Sequence, residues 1–141
     1  MVTSGESIPD SAFFECSNLL SVELPNSITS IGDSAFYKCA ELTSIRIPDS
    51  VTMIGDDAFR SCKKLTIINI PDNVTVIGSR AFYYCTGLTS INIPVSVTTI
   101  GSLAFYSCTS ITIYCEAESI PSGWSSDWNE YRCPVVWGCN E

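Results

Sequence analysis

The sequence predicts an α/β repeat solenoid, a right-handed coil with a parallel β-sheet on its concave face and short helical or 3-10 turns on its convex face. The first observation is the segment IGDSAFYKC at residues 31–39, which returns as IGDDAFRSC at residues 54–62. The second is the constant 23-residue spacing, which also places IGSRAFYYC at 77–85 and IGSLAFYSC at 100–108. A weaker copy, IPDSAFFEC, occupies residues 8–16. A fixed period in this range indicates stacked structural units.

Apolar residues recur at fixed positions of the 23-residue unit, and they predict one continuous core. A single unit could not bury its apolar face, but stacked units join these positions into columns. One column is aromatic and four are aliphatic. They contain Phe13, Phe36, Phe59, Phe82 and Phe105; Leu19, Leu42, Leu65 and Leu88; Val22, Ile45, Ile68 and Ile91; Leu24, Ile47, Ile70 and Ile93; and Ile28, Val51, Val74 and Val97.

The segment SIRIP at residues 44–48 predicts the strand of each unit. Ile45 and Ile47 alternate with Ser44 and Arg46, which is the period-two pattern of a strand with one buried side. Pro48 ends the strand, because proline has no N–H to donate to a neighbouring strand. We therefore expect one strand per unit, all parallel.

The segment after each strand predicts the turn that leads the chain to the next unit. Gly55 suits a tight bend or a close approach of two backbones, since glycine has no Cβ. Asp56 is of a residue type that caps helices, and it predicts a short helical turn that carries Ala58 and Phe59 inward. The equivalent residues in the other units are Gly32, Gly78 and Gly101, and Asp33, Ser79 and Ser102.

The composition excludes several classes of function. The 141 residues are 45% hydrophobic, and seven basic and 15 acidic residues give a net charge of −8. A field of this sign repels nucleic acid and anionic membranes. No apolar run reaches the roughly 18 residues that a membrane-spanning helix needs, so we expect no membrane insertion. Histidine is absent, which removes Ser-His-Asp and Cys-His catalysis and histidine-ligated metals.

The complete unit, LTSIRIPDSVTMIGDDAFRSC at residues 42–62, resembles the BspA-like leucine-rich repeats, also called the Treponema pallidum type. The resemblance extends over about residues 8–115, and the tail at residues 113–138 resembles the C-terminal unit common in that family. We therefore predict leucine-rich repeats over residues 1–115, in about five units, and a C-terminal capping segment over residues 116–141. Pro9, where the family has glycine, and Gly5, at an apolar position, indicate that the first unit is degraded or truncated.

The resemblance also implies a location and a role. BspA-like repeats occur in bacterial cell-surface or secreted proteins, many of which adhere to host proteins or to other cells. We therefore expect a cell-surface or extracellular protein, although the segment MVTSGESIPD has no features of a signal peptide. The expected function is non-enzymatic binding of a protein ligand without a cofactor. The alternative is a structural spacer or display segment of a larger surface protein with no ligand of its own.

Five of the eight cysteines share one position of the unit, and we expect them to stack as free, buried thiols. A buried cysteine commonly acts as a small apolar side chain, and an odd number cannot pair completely. A zinc site that joins Cys108 to Cys115, Cys133 and Cys139 is disfavoured by the absence of C-x-x-C pairs. The segment CPVVW could add a strand beside Cys115, which leaves a Cys115–Cys133 disulfide as an open alternative. The five periodic cysteines are Cys16, Cys39, Cys62, Cys85 and Cys108.

Two further groups of residues have both a structural and a functional interpretation. Asp56 and Asp57 could suggest acid-base chemistry, but the position of Asp56 holds aspartate or serine in the other units, which favours turn capping. Trp124, Trp128 and Trp137 could form a platform for carbohydrate. A seal over the last repeat is favoured instead, because the terminal unit of a solenoid needs an atypical cover.

The outward side chains of the strands provide the candidate site. On the concave sheet they form two columns that run across the stacked strands. Serine, asparagine, arginine and tyrosine on a rigid curved sheet suit protein recognition, and these columns contain no convergent catalytic set. We predict ligand contacts at Glu23, Arg46, Ile67, Asn69, Asn92, Thr112 and Tyr114.

Overall fold

The computed structural model describes residues 6–139, which form ten short strands and no helix. The described residues therefore include no helix long and apolar enough to cross a membrane. Gly5, which helped to define the degraded first unit, lies outside this range. The strands are β1 (Ser7–Ile8), β2 (Ser30–Ile31), β3 (Ser44–Ile45), β4 (Met53–Ile54), β5 (Ile67–Ile68), β6 (Val76–Ile77), β7 (Ser90–Ile93), β8 (Thr99–Ile100), β9 (Thr112–Cys115) and β10 (Val135–Val136).

The strands form a parallel solenoid, as the 23-residue period predicts. Strands β1, β2, β4, β6 and β8 make a five-stranded sheet, in which Ile31 pairs with Ile54 and Ile54 pairs with Ile77. The other strands form a pair, β3 and β5, and a three-stranded sheet in the order β7, β9 and β10. The strand predicted from SIRIP begins at β3, but the five-stranded sheet was not predicted. Its strands have only two residues each, which is too short for an alternating pattern to be read.

The predicted helical or 3-10 turns are wrong, because the segments after each glycine wind as successive β-turns. In one such segment Asp57 and Ser61 have φ values of 57° and 63°, which are left-handed and interrupt a helix. The Asp57 N–H donates to the Ser79 carbonyl at 2.9 Å and the Ser61 N–H to the Tyr83 carbonyl at 2.8 Å, both in the next repeat. A helix would direct these N–H groups to its own turn instead. The described fold is therefore all-β.

Asp56 and its equivalents link neighbouring repeats, so their prediction as helix caps is also wrong. The Asp33 carboxylate accepts a hydrogen bond from the Asp56 N–H at 2.8 Å, and the Asp56 carboxylate accepts one from the Ser79 N–H at 2.8 Å. A Cβ atom on Gly55 would lie 2.5 Å from Asp33 Oδ1. The periodic glycine is therefore explained by close approach of adjacent repeats, which was one of its two predicted roles.

The aromatic column forms the centre of the core, as predicted. Phe36, Phe59, Phe82 and Phe105 are fully buried, and their stacked rings lie 5.2 to 5.5 Å apart. Phe13 stacks on Phe36 but remains partly exposed. Each buried ring removes a large apolar area from water, so this column contributes strongly to the core.

The cysteine column lies beside the phenylalanines. The thiols of Cys39, Cys62, Cys85 and Cys108 donate to phenylalanine carbonyls 26 residues earlier, at 3.0 to 3.2 Å. Burial, with a smaller contribution from Cys16, raises the pKa of Cys39 to about 11, and burial raises the pKa of Cys108 to about 12. These four are buried free thiols, but Cys16 is exposed, so the prediction of five buried thiols is wrong at that end.

The C-terminal segment covers the last repeat with tryptophan side chains. Trp124 and Trp128 are buried, and Trp128 lies edge-on to Phe105 with ring centroids 6.3 Å apart. The Trp124 indole N–H donates to the Val97 carbonyl at 3.2 Å. Trp137 packs against both tryptophans, at 5.9 and 6.1 Å. These contacts support the interpretation of the tryptophans as a seal, while the division at residues 115 and 116 stays a prediction.

The three cysteines outside the period are placed by this same segment. Strand β10 pairs with β9, as the segment CPVVW predicts. The Cys139 N–H donates to the Cys115 carbonyl at 2.9 Å, so Cys139 is the neighbour of Cys115. Cys133 instead extends the thiol column, with its Sγ 3.6 Å from the Phe105 carbonyl. All cysteines in residues 6–139 are free thiols, and the Cys115–Cys133 alternative is not adopted.

Candidate functional site

The strand face is the outward side of residues 21–24, 44–47, 67–70, 90–93 and 112–115, the last four of which contain β3, β5, β7 and β9. All seven predicted site residues lie on it. The register pairs Ser44 with Ile67 and Asn92 with Tyr114, which gives the predicted columns. The concave curvature of this face stays a prediction.

Arg46 is the centre of one half of the strand face. It is exposed, and it lines one shallow concavity of about 310 Å³ with Glu23 and another of about 420 Å³ with Ile67 and Asn69. The ion pairs found in residues 6–139 are Arg60–Asp57, Lys64–Glu41 and Arg80–Asp57. The Arg46 guanidinium takes part in none of these, so its donors are available to a ligand.

Ile67 gives this half of the strand face an apolar contact next to the charge. Its side chain is 61% exposed, although β5 places its neighbour Ile68 in the core. The equivalent positions in adjacent strands are Ser44 and Ser90, which are small and polar. The isoleucine is therefore a local exception on an otherwise polar column.

Asn69 has a structural role that its position alone did not predict. Its side-chain oxygen accepts from the Ile47 N–H at 2.9 Å, and its side-chain nitrogen donates to the Ile47 carbonyl at 3.0 Å. Both groups of the amide are thus occupied by the backbone that follows β3. Asn69 therefore extends the pairing between two repeats through Ile47, the residue that follows Arg46.

The other half of the strand face carries Asn92, Thr112 and Tyr114. Asn92 is exposed on β7, and the two β9 residues are partly exposed. Tyr114 pairs with Val136 of the C-terminal segment on its other side. Three strand spacings, about 14 Å, separate Arg46 from Tyr114, so one ligand would have to lie along the solenoid to touch both.

A second surface was not predicted from the sequence. The turn face is formed by residues 10–16, 33–39, 56–62, 79–85 and 102–108, where the residue that follows each Ala-Phe pair is exposed in the first copy and partly exposed in the others. That position is phenylalanine, tyrosine or arginine in every copy, a regularity that could have revealed it. The residues are Phe14, Tyr37, Arg60, Tyr83 and Tyr106.

Neither surface offers an evident metal site among the described residues. No group of three or more cysteine, aspartate or glutamate side chains in residues 6–139 is arranged to hold a metal ion. Cys108, Cys115, Cys133 and Cys139, which the zinc alternative combined, are divided between the thiol column and the β9 edge.

Comparison with known proteins identifies the repeat. The family profile of the BspA type leucine rich repeat region matches residues 3–121 in six copies. This chain belongs to that family. A BspA-type solenoid is typically a non-enzymatic repeat scaffold. No match was found among curated proteins.

Several solved structures resemble this BspA-type chain. A leucine-rich repeat protein from Bacteroides ovatus is 36% identical with a TM-score of 0.74, over 85% of this chain and 30% of its own. The Treponema pallidum leucine rich repeat protein is 35% identical with a TM-score of 0.76, over 77% and 51%. A leucine rich cell surface protein from Faecalibacterium prausnitzii is 38% identical with a TM-score of 0.76, over 86% and 32%. This chain thus spans 30 to 51% of the length of these relatives.

Proposed function

We propose that this BspA-type chain is a protein-binding module of a cell-surface or secreted protein, and that its ligand contacts the strand face. The observation that carries the proposal is the combination of an exposed guanidinium, that of Arg46, with a 61% exposed isoleucine, Ile67, around one concavity. Arginine beside an apolar contact is a frequent combination at the energetic centres of protein interfaces. Asn69 holds the adjoining backbone in place, so this part of the face would lose little conformational freedom on binding.

The proposed location rests on the relatives. The protein from Faecalibacterium prausnitzii is described as a cell surface protein, and it is 38% identical to this chain. Adhesion to host or neighbouring-cell proteins is the role that the family resemblance implies. Binding rather than catalysis is supported by the strand face itself, where Arg46, Asn69, Asn92 and Tyr114 include no nucleophile adjacent to a base.

The experiment begins with a ligand and ends with matched variants. The immobilised protein captures binders from an extracellular-matrix extract, and each captured protein is purified and measured by surface plasmon resonance. The double variant Arg46→Ala/Ile67→Ala should bind about tenfold to a hundredfold more weakly. The control variant Met53→Ala/Thr99→Ala removes exposed side chains from the five-stranded sheet and should change binding by less than about twofold.

The outcomes separate the two candidate functions. If the Arg46→Ala/Ile67→Ala variant binds as tightly as the wild type and the control variant loses affinity, the ligand contacts the five-stranded sheet instead. If no protein binds the wild type with a measurable affinity, the chain is a structural spacer or display segment. Thermal melts of each variant establish that a loss of binding is not a loss of folding.

A further inference from the structure

The turn face contains a row of two stacked aromatic pairs with one guanidinium between them. Tyr37 stacks on Phe14 with ring centroids 4.8 Å apart, and Tyr83 stacks on Tyr106 at 5.5 Å. Arg60 lies between these two pairs, with its guanidinium carbon 5.6 Å from the Tyr37 ring centroid and 4.5 Å from the Tyr83 centroid. A guanidinium between two aromatic rings is held in place by cation-π attraction.

A notch lies next to this row because one residue is smaller than its neighbours. Lys38, Ser61 and Tyr84 occupy the same position in three successive repeats. Lys38 and Tyr84 are exposed, whereas Ser61 between them is only 8% exposed. These three residues border a groove of about 530 Å³, which also includes Lys63, and a second of about 460 Å³ that reaches Arg60 and Tyr83.

The charge of the groove is opposite to that of the chain. The protein has a net charge of −8 and only seven basic residues, yet Lys38 and Lys63 border the first groove, and Lys38 and Arg60 border the second. Arg60 is paired with Asp57 at 3.2 Å, but Lys38 and Lys63 take part in none of the ion pairs found in residues 6–139. Their ammonium groups instead lie 5.6 and 5.1 Å from tyrosine ring centroids. Two ammonium groups without an ion-pair partner among residues 6–139 therefore flank the notch.

The chemistry of the groove favours a peptide over a carbohydrate. The faces of the Tyr37 and Tyr83 rings are covered by Phe14, Arg60 and Tyr106, so neither of these two rings offers an open face to a sugar. Ring edges, hydroxyls and ammonium groups remain exposed, and these groups hydrogen-bond to carboxylates. Tyrosine and arginine are also the residues most enriched at the energetic centres of protein interfaces.

We propose that this groove is a second binding surface, which takes an extended acidic segment of a protein and seats one carboxylate over Ser61 between Lys38 and Lys63. Glu15 borders the N-terminal end of the groove and would repel an acidic residue there. The carboxylate is therefore seated away from Glu15, on the side of Ser61 that faces Tyr84. The surface is distinct from the strand face, and the two can be tested separately.

The test uses fluorescence anisotropy with two labelled peptides, one with glutamate at alternate positions and one with glutamine at the same positions. The wild type should bind the glutamate peptide at least about tenfold more tightly, and added salt should weaken this binding. The variant Lys38→Gln/Lys63→Gln should lose about tenfold in affinity, because two charge-assisted hydrogen bonds are removed.

Two further variants make the test specific. Lys64→Gln is the matched control, because Lys64 adjoins Lys63 and is exposed, but it is paired with Glu41 at 3.1 Å. It should change affinity by less than about twofold. Ser61→Tyr fills the notch without altering charge, and Tyr84, with a φ of 65°, shows that this backbone accepts tyrosine. It should weaken binding about as much as the double lysine variant.

Three results would overturn the proposal. One is equal affinity for the two peptides, and another is an effect of Lys64→Gln as large as that of the double lysine variant. The third is that a sulfated polysaccharide binds through Lys38 and Lys63 while the glutamate peptide does not, which would make the groove a glycan site. Thermal melts establish that each variant is folded before its affinity is compared.

Discussion

Equivalent repeat positions differ in solvent exposure between the two ends of the solenoid. At the N-terminal end of the described residues, Phe13 is partly exposed and Cys16 is exposed. At the C-terminal end, Phe105 and Cys108 hold the equivalent positions and are buried, because Trp128 and Cys133 lie against them. Burial in this fold is therefore a property of the neighbouring repeats rather than of the residue type.

The C-terminal segment buries the last repeat by making the same backbone hydrogen bonds as a repeat, although its sequence is different. The Leu103 N–H donates to the Asp127 carbonyl at 3.2 Å, as the Arg80 N–H donates to the Ser102 carbonyl at 2.9 Å. The separation of Ser102 and Asp127 exceeds the 23-residue period by two, so the chain accommodates a short insertion before the contact is made. A cover can thus reproduce the hydrogen bonds of a repeat while it replaces the repeat's outer surface with tryptophan.

The largest difference between the ends should appear in thiol reactivity. Cys16 should react with a maleimide at close to the rate of a free thiol, whereas Cys62 should react at least about a thousandfold more slowly, because it is reached only when the core opens. Burial, followed by the nearby Cys39, also raises the pKa of the Cys62 thiol, which lowers its reactive thiolate fraction. Peptide mapping by mass spectrometry identifies each labelled site. Equal rates at the two sites would contradict the difference between the ends.

Deleting one ring from each region tests the same contrast in stability. Phe59→Ala should lower the free energy of unfolding by about 3–5 kcal/mol, because Phe59 is buried between Phe36 and Phe82. Phe13→Ala should cost about half as much, since Phe13 stacks on one ring and is partly exposed. Urea melts measure both values. A loss at Phe13 as large as that at Phe59 would show that the N-terminal end is as well packed as the centre.

The C-terminal cover can be tested by removing its central contact. Trp128→Ala should cost about 3 kcal/mol, because the ring is buried against Phe105 and Trp124. Tyr131→Ala is the control, since Tyr131 belongs to the same segment but is exposed, and it should cost less than about 1 kcal/mol. If both variants unfold at the same urea concentration, the tryptophans do not seal the repeats.

The smallest expected effect is a pH dependence at the cover. The hydroxyls of Ser125 and Ser102 hold the pKa of Asp127 below its usual value. A lowered pKa contributes stability that is present above the aspartate value of 3.8 and is lost as the pH falls through the folded pKa. Asp127→Asn should therefore be less stable than wild type at pH 6, and this difference should shrink in acid. An unchanged difference in urea melts at both pH values would exclude the carboxylate as its source.

The buried columns could be predicted because a fixed period forces identical positions to stack. Phe59, Leu65 and Val74 were assigned to the core from their spacing alone, and the structure buries them all. The path of the turns could not be predicted in the same way. Ser34 and Lys38 adopt φ values of 57° and 58°, and neither residue type indicates a left-handed conformation. The left-handed turns exist because N–H groups gain partners in the next repeat, which is invisible within one unit.

The candidate site was predictable to a similar extent. The strand register placed Arg46, Ile67 and Tyr114 on one face, since alternation along a strand decides which side chains point outward. The two hydrogen bonds of the Asn69 side chain were not predictable, because they are made to the Ile47 backbone of the preceding repeat, beyond the end of β3. The notch at Ser61 was missed because it arises from a size difference between equivalent residues of three repeats.

The contact between Gly55 and Asp33 also restricts how such a gene can change in length. Deletion of residues 56–78 would join Gly55 to Ser79 and bring the Ser79 N–H to the Asp33 carboxylate in place of the Asp56 N–H. The remaining columns would keep their register, and the cover would still meet the last repeat. A deletion one residue shorter or longer than the repeat would instead displace every later phenylalanine from its column. Copy-number variants of this protein should therefore differ by whole numbers of the 23-residue repeat, with the C-terminal cover retained in each.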